Sequence, residues 1–202
     1  MNTSKHHDAP GMIFYYIHGF NSAPGGNTGE HLSRLLPNLR QLEYHSAKTY
    51  EENMASLKRQ VVPAKSALFI GTSLGGFYAS QLAASRIVLH SKALLINPAV
   101  YPEKTLIKWI GKNINFRTGE EYELTQEVVD SYKHRIALTR EKSRGVPRII
   151  LLADHDEVLD HTETRKFWKG SGQILTISGG HRVEDYELVA KTAKELLDLP
   201  IV

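Results

Sequence analysis

Ala67-Leu68-Phe69-Ile70-Gly71-Thr72-Ser73-Leu74-Gly75-Gly76-Phe77-Tyr78-Ala79 is the stretch from which the rest of the 202-residue chain can be read. Ala67–Gly71 is a short apolar run of the kind that forms a buried strand, and from Leu74 to about Leu89 the pattern is helical. Between them, Gly71-Thr72-Ser73-Leu74-Gly75 matches G-x-S-x-G in the strand-to-helix setting that motif requires. Its glycines have a steric reason. A serine on a sharp, strained turn leaves no room for side chains two places before and after it if strand and helix are to approach closely. Ser73 Oγ is thereby held out at the edge of a sheet, and the Leu74 N–H, at the helix start, is free to meet a developing negative charge. Three specified residues at about 7% usage each give roughly 0.07 accidental matches in a chain of this length, so the motif carries weight only with its context.

Reading outward, Met12–Ile17 (MIFYYI) is a buried strand ending at His18-Gly19. The loop Phe20–Gly26 follows, and Asn27 with Glu30 three places on predicts a capped helix ending near Pro37. A second strand is expected over Leu39–Tyr44, a helix over Tyr50–Val62, and a strand over Lys92–Ile96 after the Ser73 helix. Tyr101–Gly145 is more polar and shows no strand signal; helices are expected around Glu103–Ile110 and Gln126–Ile136, with Gly111 just past the first and Thr125 capping the second. At about 45 residues this region is near the lower limit for an independent core and reads as an insertion over the main domain. Arg148–Leu152 and Gln173–Ile177 resume the strand pattern. A last helix places Tyr186, Val189, Ala190, Ala193, Leu196 and Leu197 on one face, with Pro200 as its stop.

Strands alternating with helices imply right-handed crossovers and an α/β fold whose mainly parallel sheet is covered on both faces, with functional loops at the carboxyl ends of the strands. One domain over 12–202, after a flexible segment 1–11 and with a small helical cap at about 101–145, is the expected organisation.

Composition narrows the function classes. The net charge is +3, from 25 basic and 22 acidic residues spread along the chain without a polybasic stripe, so no nucleic-acid partner is expected. The absence of cysteine excludes disulfides, thiolate chemistry and sulfur-ligated metal, and suits a cytoplasmic location. His6-His7 in the polar start is too weak a pattern to imply a metal site. No apolar run approaches the roughly 18 residues of a membrane span, nor is there a secretory signal at the start. Stable membrane association is therefore not expected. Oligomeric state is not encoded in any pattern found.

A serine hydroxyl is a weak nucleophile at neutral pH and needs an imidazole within hydrogen-bond reach and a carboxylate to fix that ring's tautomer. The chain supplies Ser, acid and His in the order this motif's fold uses. After the RIILL strand comes Ala153-Asp154-His155-Asp156-Glu157-Val158-Leu159, and after QILTI comes Ser178-Gly179-Gly180-His181. His181 is preferred as base because two glycines let its loop bend toward the serine, whereas His155 lies between candidate acids. Asp156 is preferred as acid because two further residues carry it clear of the strand and Val158-Leu159 can anchor the loop. Asp154 and Asp160 stay open as alternatives, and the Asp-His-Asp-Glu run could also be metal ligands or a solvated loop. A second oxyanion donor beside Leu74 is expected at the backbone N–H of Phe20, with His18 ordering that loop. Trp109, Leu106, Ile110 and Phe116 are candidate apolar contacts for a substrate; the alternative is that they only dock the insertion on the core.

Tyr16-Ile17-His18-Gly19-Phe20-Asn21-Ser22-Ala23-Pro24, the Gly71–Ala79 elbow, Asn97-Pro98-Ala99-Val100, Asp156–Asp160 and Gly179-Gly180-His181 together resemble the small bacterial esterases of the YqiA type, within the α/β-hydrolase superfamily. The resemblance runs from about Ile13 to Leu199 and includes Gly111-Lys112-Asn113, Thr118-Gly119 and Tyr122 in the insertion. It implies an α/β-hydrolase fold, hydrolysis of small acyl esters or thioesters such as acyl-CoA without a cofactor, and Ser73, Asp156 and His181 as nucleophile, acid and base. Thr72 stands where a second serine is common, and Arg182-Val183 where a small residue and an aromatic are usual. The second departure bears on substrate preference. A non-catalytic binding protein on the same fold, and acyl transfer to another acceptor, are the rival expectations.

Overall fold

The computed structural model describes residues 11–136 and 145–198. Nearly all of the expected flexible segment 1–11, the final stretch of the insertion and the expected stop at Pro200 lie outside the described residues. Six strands form one parallel sheet: β1 (Met12–Ile17), β2 (Arg40–Leu42), β3 (Ser66–Thr72), β4 (His90–Ile96), β7 (Arg148–Ala153) and β8 (Gln173–Ile177), in the order β2-β1-β3-β4-β7-β8. Gly71 at the end of β3 is level with Ile17 of β1 and Leu95 of β4. The carboxyl ends of the three central strands therefore share one edge, which is what brings their following loops together.

Side chains of these strands alternate between two cores, as a parallel sheet covered on both faces requires. Ile13, Tyr15, Ile17, Phe69, Leu95 and Ile150 face α2 (Tyr50–Gln60), α3 (Leu74–Ala84) and the buried Phe167 and Trp168. Tyr16, Leu68, Ile70, Leu94, Ile96 and Leu151 face α1 (Asn27–Leu35) and the closing helix α7 (Tyr186–Leu197). All eleven residues of α3 are buried, which gives that helix no polar face and fixes it rigidly under the Ser73 turn. Among the described residues no helix is long and apolar enough to cross a membrane.

Local reading holds less well at several places. Asn27 does not cap α1: Gly26 occupies the cap position without a side-chain bond, and the Asn27 amide donates to the Tyr186 hydroxyl at 2.7 Å. The Ser73 helix stops at Ala84, short of Leu89. The insertion is not purely helical. The expected helix at Glu103–Ile110 is split into a four-residue turn, α4 (Pro102–Thr105), and a 3-10 turn at Ile107–Trp109. An antiparallel hairpin follows, β5 (Gly111–Ile114) with β6 (Glu121–Leu124), and then α5 (Gln126–Asp130), shorter than expected but capped by Thr125 as read. The helix α6 (His161–Trp168), capped by Asp160, lies between β7 and β8 where no element was expected.

Candidate active site

Ser73 occupies a left-handed turn, φ 53° and ψ −122°, a conformation that a non-glycine residue holds only where its surroundings fix it. They do so here by hydrogen bonds: the Ser73 N–H donates to the Ile96 carbonyl at 2.9 Å, while the Ser73 carbonyl accepts from Gly76 and Ala99 N–H groups at 2.9 and 3.1 Å. The flanking glycines are compulsory. A Cβ on Gly71 would overlap the Gly75 backbone, and one on Gly75 would overlap the carbonyl oxygens of Ile17 and His18. The start of α3 is thus pressed against the end of β1, beside the loop that carries Phe20. Thr72 is accommodated because its hydroxyl meets the buried Tyr16 hydroxyl at 3.0 Å.

Asp156 and His181 are brought together on neighbouring loops. His181 Nδ1 lies 2.8 Å from Asp156 Oδ2 and 3.0 Å from Oδ1, and the Asp156 side chain is 1% exposed. Oδ1 also accepts the N–H groups of Val158 and Leu159, each at 2.8 Å. Burial by itself would raise this carboxyl; contacts with His161 and His181 and the two backbone donors outweigh it and hold the group well below the usual carboxylate range. Leu159 is buried and anchors the loop, whereas Val158 is exposed. The two alternative acids are employed elsewhere. Asp154 pairs with His155 and accepts the Gly179 N–H at 3.0 Å, while Asp160 accepts the Thr162 N–H to cap α6.

Two further residues, to which the sequence alone assigns no role, join this centre. His161, the first residue of α6, sets its Nε2 3.0 Å from Asp156 Oδ2 with both side chains buried. Neither ring nitrogen of His161 makes an aligned hydrogen bond, so the contact acts through charge and dipole more than through a formed bond. The Asp160-x-x-Glu163 spacing is the cap signal from which α6 could have been read. Asn97, 1% exposed, binds three strand ends into one unit: its N–H donates to Leu151, its Oδ1 accepts the Ala153 N–H, and its Nδ2 donates to the His181 carbonyl at 3.0 Å. Since Ile96, immediately before it, holds the Ser73 N–H, Asn97 links the serine turn to the histidine loop. Among the described residues neither Ser73 Oγ nor His181 Nε2 has a hydrogen-bond partner.

The loop after β1 lies beside the same edge, with the Gly19 Cα facing the Ser73 side chain. The Phe20 and Leu74 N–H groups, the two expected oxyanion donors, have no hydrogen-bond partner among the described residues. For Leu74 this follows from its place in the first turn of α3. His18 is buried, donates through Nδ1 to the Gly19 carbonyl at 2.9 Å and stacks on Tyr44; burial pushes its pKa down to about 4.

Of the four expected apolar contacts, three are exposed and one is not. Trp109, Ile110 and Phe116 line a groove of about 850 Å³ together with Asn21, Lys112 and Tyr122, and the Trp109 ring tilts against Phe20 at 5.8 Å. Leu106 is 4% exposed and packs in the core with Val100 and Leu124. It docks the insertion, because the turn ending α4 points it inward. Ser73, Asp156 and His181 do not line this groove; Phe20, on which Trp109 packs, follows Gly19, whose Cα faces the Ser73 side chain.

A family model matches residues 12–198, almost the whole of this arrangement. The chain belongs to the uncharacterised protein family UPF0227. This is the YqiA-type family whose motifs the sequence resembles. Solved structures share the fold at low identity. Est1E from Butyrivibrio proteoclasticus aligns with a TM-score of 0.72 at 18% identity, covering 96% of this chain and 89% of that one. A putative hydrolase from Agrobacterium vitis S4 gives 0.68 at 16% identity, covering 94% and 91%. The monoacylglycerol lipase of Paleococcus ferrophilus gives 0.65 at 14% identity, covering 94% and 96%. At these identities the likeness is one of fold, and it assigns this UPF0227 member to the α/β-hydrolase architecture.

Proposed function

We propose that this UPF0227 protein is a serine hydrolase of small acyl esters and thioesters. The observation that carries the reading is the pair of buried Asp156 and half-buried His181, whose contacts of 2.8 and 3.0 Å hold an imidazole on the loop that Asn97 ties to the strained Ser73 turn. A structural ion pair has no need of a link through Asn97 to a strained serine turn, and a binding module has no need of all three groups. The esterase and lipase named among the fold neighbours lend further support.

In this reading Ser73 Oγ attacks the acyl carbonyl as His181 Nε2 takes its proton. The C–O or C–S bond to the leaving group then breaks, and His181 returns that proton to the departing oxygen or sulfur. Water, deprotonated by His181, attacks the acyl-Ser73 carbonyl, releasing the carboxylic acid and restoring the serine. The Leu74 and Phe20 N–H groups stabilise the oxyanion in both halves, and each such donor is worth on the order of 10²–10³ in rate. Asp156 stays ionised throughout and keeps the Nδ1 proton of His181 in place. Trp109, Ile110 and Phe116 offer the acyl or leaving group an apolar wall.

The test is a panel of p-nitrophenyl esters and acyl-CoAs of graded chain length, with wild type and Ser73→Ala. Saturable hydrolysis abolished in Ser73→Ala is expected. Equal turnover by both proteins sinks the reading, and acyl transfer in place of hydrolysis would show as product formation that depends on an added alcohol or amine.

A further inference from the structure

Asn21 follows Phe20 directly, and each of its polar groups is engaged. It is 1% exposed and held in the left-handed region at φ 55°. Its N–H donates to Ser46 Oγ at 3.1 Å and its carbonyl accepts the Phe116 N–H at 2.9 Å. Its side-chain oxygen accepts the Tyr122 hydroxyl, and its side-chain amide faces Asn113 Oδ1 at 3.5 Å. Three of these four partners belong to the β5–β6 hairpin or its turn. The same hairpin holds the loop further along, through Asn115 Nδ2 to the Ser22 carbonyl at 3.0 Å and Arg117 Nε to the Gly25 carbonyl at 2.9 Å. Asn115 is itself locked, its Oδ1 accepting the Arg117 and Thr118 N–H groups.

Such a hairpin cannot swing as a lid without breaking several hydrogen bonds to buried or half-buried groups at once. A strained backbone at Asn21 also needs an external restraint to persist, and the hairpin supplies it next to the residue whose N–H must meet an oxyanion. We propose that the β5–β6 hairpin is a fixed brace of the loop after β1, and that Tyr122, acting through Asn21, is the positioning residue that aims the Phe20 N–H at the oxyanion. This rests on the serine-hydrolase reading. An oxyanion donor has to sit 2.7–3.1 Å from the charged oxygen, so a small rotation of the peptides around Asn21 weakens the transition state while leaving ground-state binding nearly untouched. Without the tyrosine hydroxyl the buried Asn21 side-chain oxygen loses its donor, and an unpaired buried acceptor drives the segment to rotate toward another.

The experiment uses the full chain with Tyr122→Phe, which removes one hydroxyl, and Asn115→Ala, which cuts the brace at Ser22. Kinetics are measured on the best p-nitrophenyl ester, together with inhibition by the matching trifluoromethyl ketone, whose Ser73 adduct carries an oxyanion, and by the methyl ketone, which stays uncharged. In Tyr122→Phe, kcat should fall roughly tenfold with KM within about twofold, trifluoromethyl ketone affinity should fall by the same factor as kcat, and methyl ketone affinity should hold. Amide exchange at Asn21 and Phe116, whose N–H groups bond to Ser46 Oγ and the Asn21 carbonyl, should quicken. Asn115→Ala should move all readouts the same way and serves if the tyrosine variant folds poorly. An unchanged kcat and trifluoromethyl ketone affinity overturns the brace, as does a raised KM at constant kcat, which would make Tyr122 a substrate contact. Ser73→Ala run alongside separates the two ideas. If it keeps turnover the hydrolase reading fails; if it is dead while Tyr122→Phe behaves as wild type, only the brace fails.

Discussion

Lowering the pH from 7 toward 4 should weaken this fold through one residue, His18. Its imidazole is 3% exposed, lies flat on Tyr44 with ring centres 4.5 Å apart, and has a buried Nε2 with no hydrogen-bond partner. A second proton would have to sit on that Nε2, and burial accordingly pushes the pKa down to about 4. In the unfolded chain the same ring titrates near 6.5. Between those values the unfolded state binds the proton and the folded state does not, so stability is complete above about pH 6.5 and drains away as pH falls to about 4. At about 1.4 kcal/mol for each unit, a gap of roughly 2.5 units amounts to about 3 kcal/mol, a large part of a typical domain's stability. For a chain of this size that corresponds to a melting temperature lower by roughly 10 °C. Urea unfolding of wild type and His18→Asn at several pH values between 7 and 4.5 isolates the effect. The asparagine can keep a bond to the Gly19 carbonyl but cannot titrate, so its stability should start lower at pH 7 and fall less steeply. Parallel slopes for the two proteins, or an NMR titration of His18 at the ordinary histidine value, would refute the argument.

Gly75→Ala should destabilise the protein by more than about 3 kcal/mol, because the carbonyls it would strike are backbone that cannot rotate aside; Gly11→Ala, which meets nothing within 4 Å, is the control in the same denaturation series. Equal midpoints would mean the close approach of α3 to β1 is wrong. Asp156→Asn should fold, since its remaining side-chain oxygen can still accept the Val158 and Leu159 N–H groups, yet lose on the order of 10³–10⁴ in kcat as the His181 tautomer is released. Steady-state kinetics showing less than a tenfold loss would remove Asp156 from the acid's role.

The parts of the fold that sequence reading captured are those in which local chemistry and global packing ask for the same thing. The Gly71–Gly75 turn is legible because its glycines answer a steric demand that any strand-to-helix elbow makes. Each sheet strand except β2 is a run whose apolar side chains serve both faces, and Thr125 caps α5 by a rule that needs only four residues. Elements fixed by distant contacts were harder. The hairpin β5–β6 is short and polar, and Glu121-Tyr122-Glu123-Leu124 does alternate with period two, but what holds it is the loop after β1, about 90 residues earlier in the chain. Leu106 differs from the exposed Trp109 and Ile110 in turning inward, and no pattern within a broken helix says which side chain does so. His161 escaped notice for a similar reason: its meeting with Asp156 depends on where α6 begins. Asn97 stood in a recognised motif, but its three-way role appears only when the ends of β4 and β7 and the histidine loop share one edge.

The most direct test of the central claim is covalent. Folded protein treated with a fluorophosphonate should gain one adduct by intact mass, mapped by peptide sequencing to Ser73, with labelling lost in Ser73→Ala and strongly slowed when His181 is replaced by Gln. No adduct on the folded wild type, or an adduct that persists at another residue in Ser73→Ala, would contradict the account.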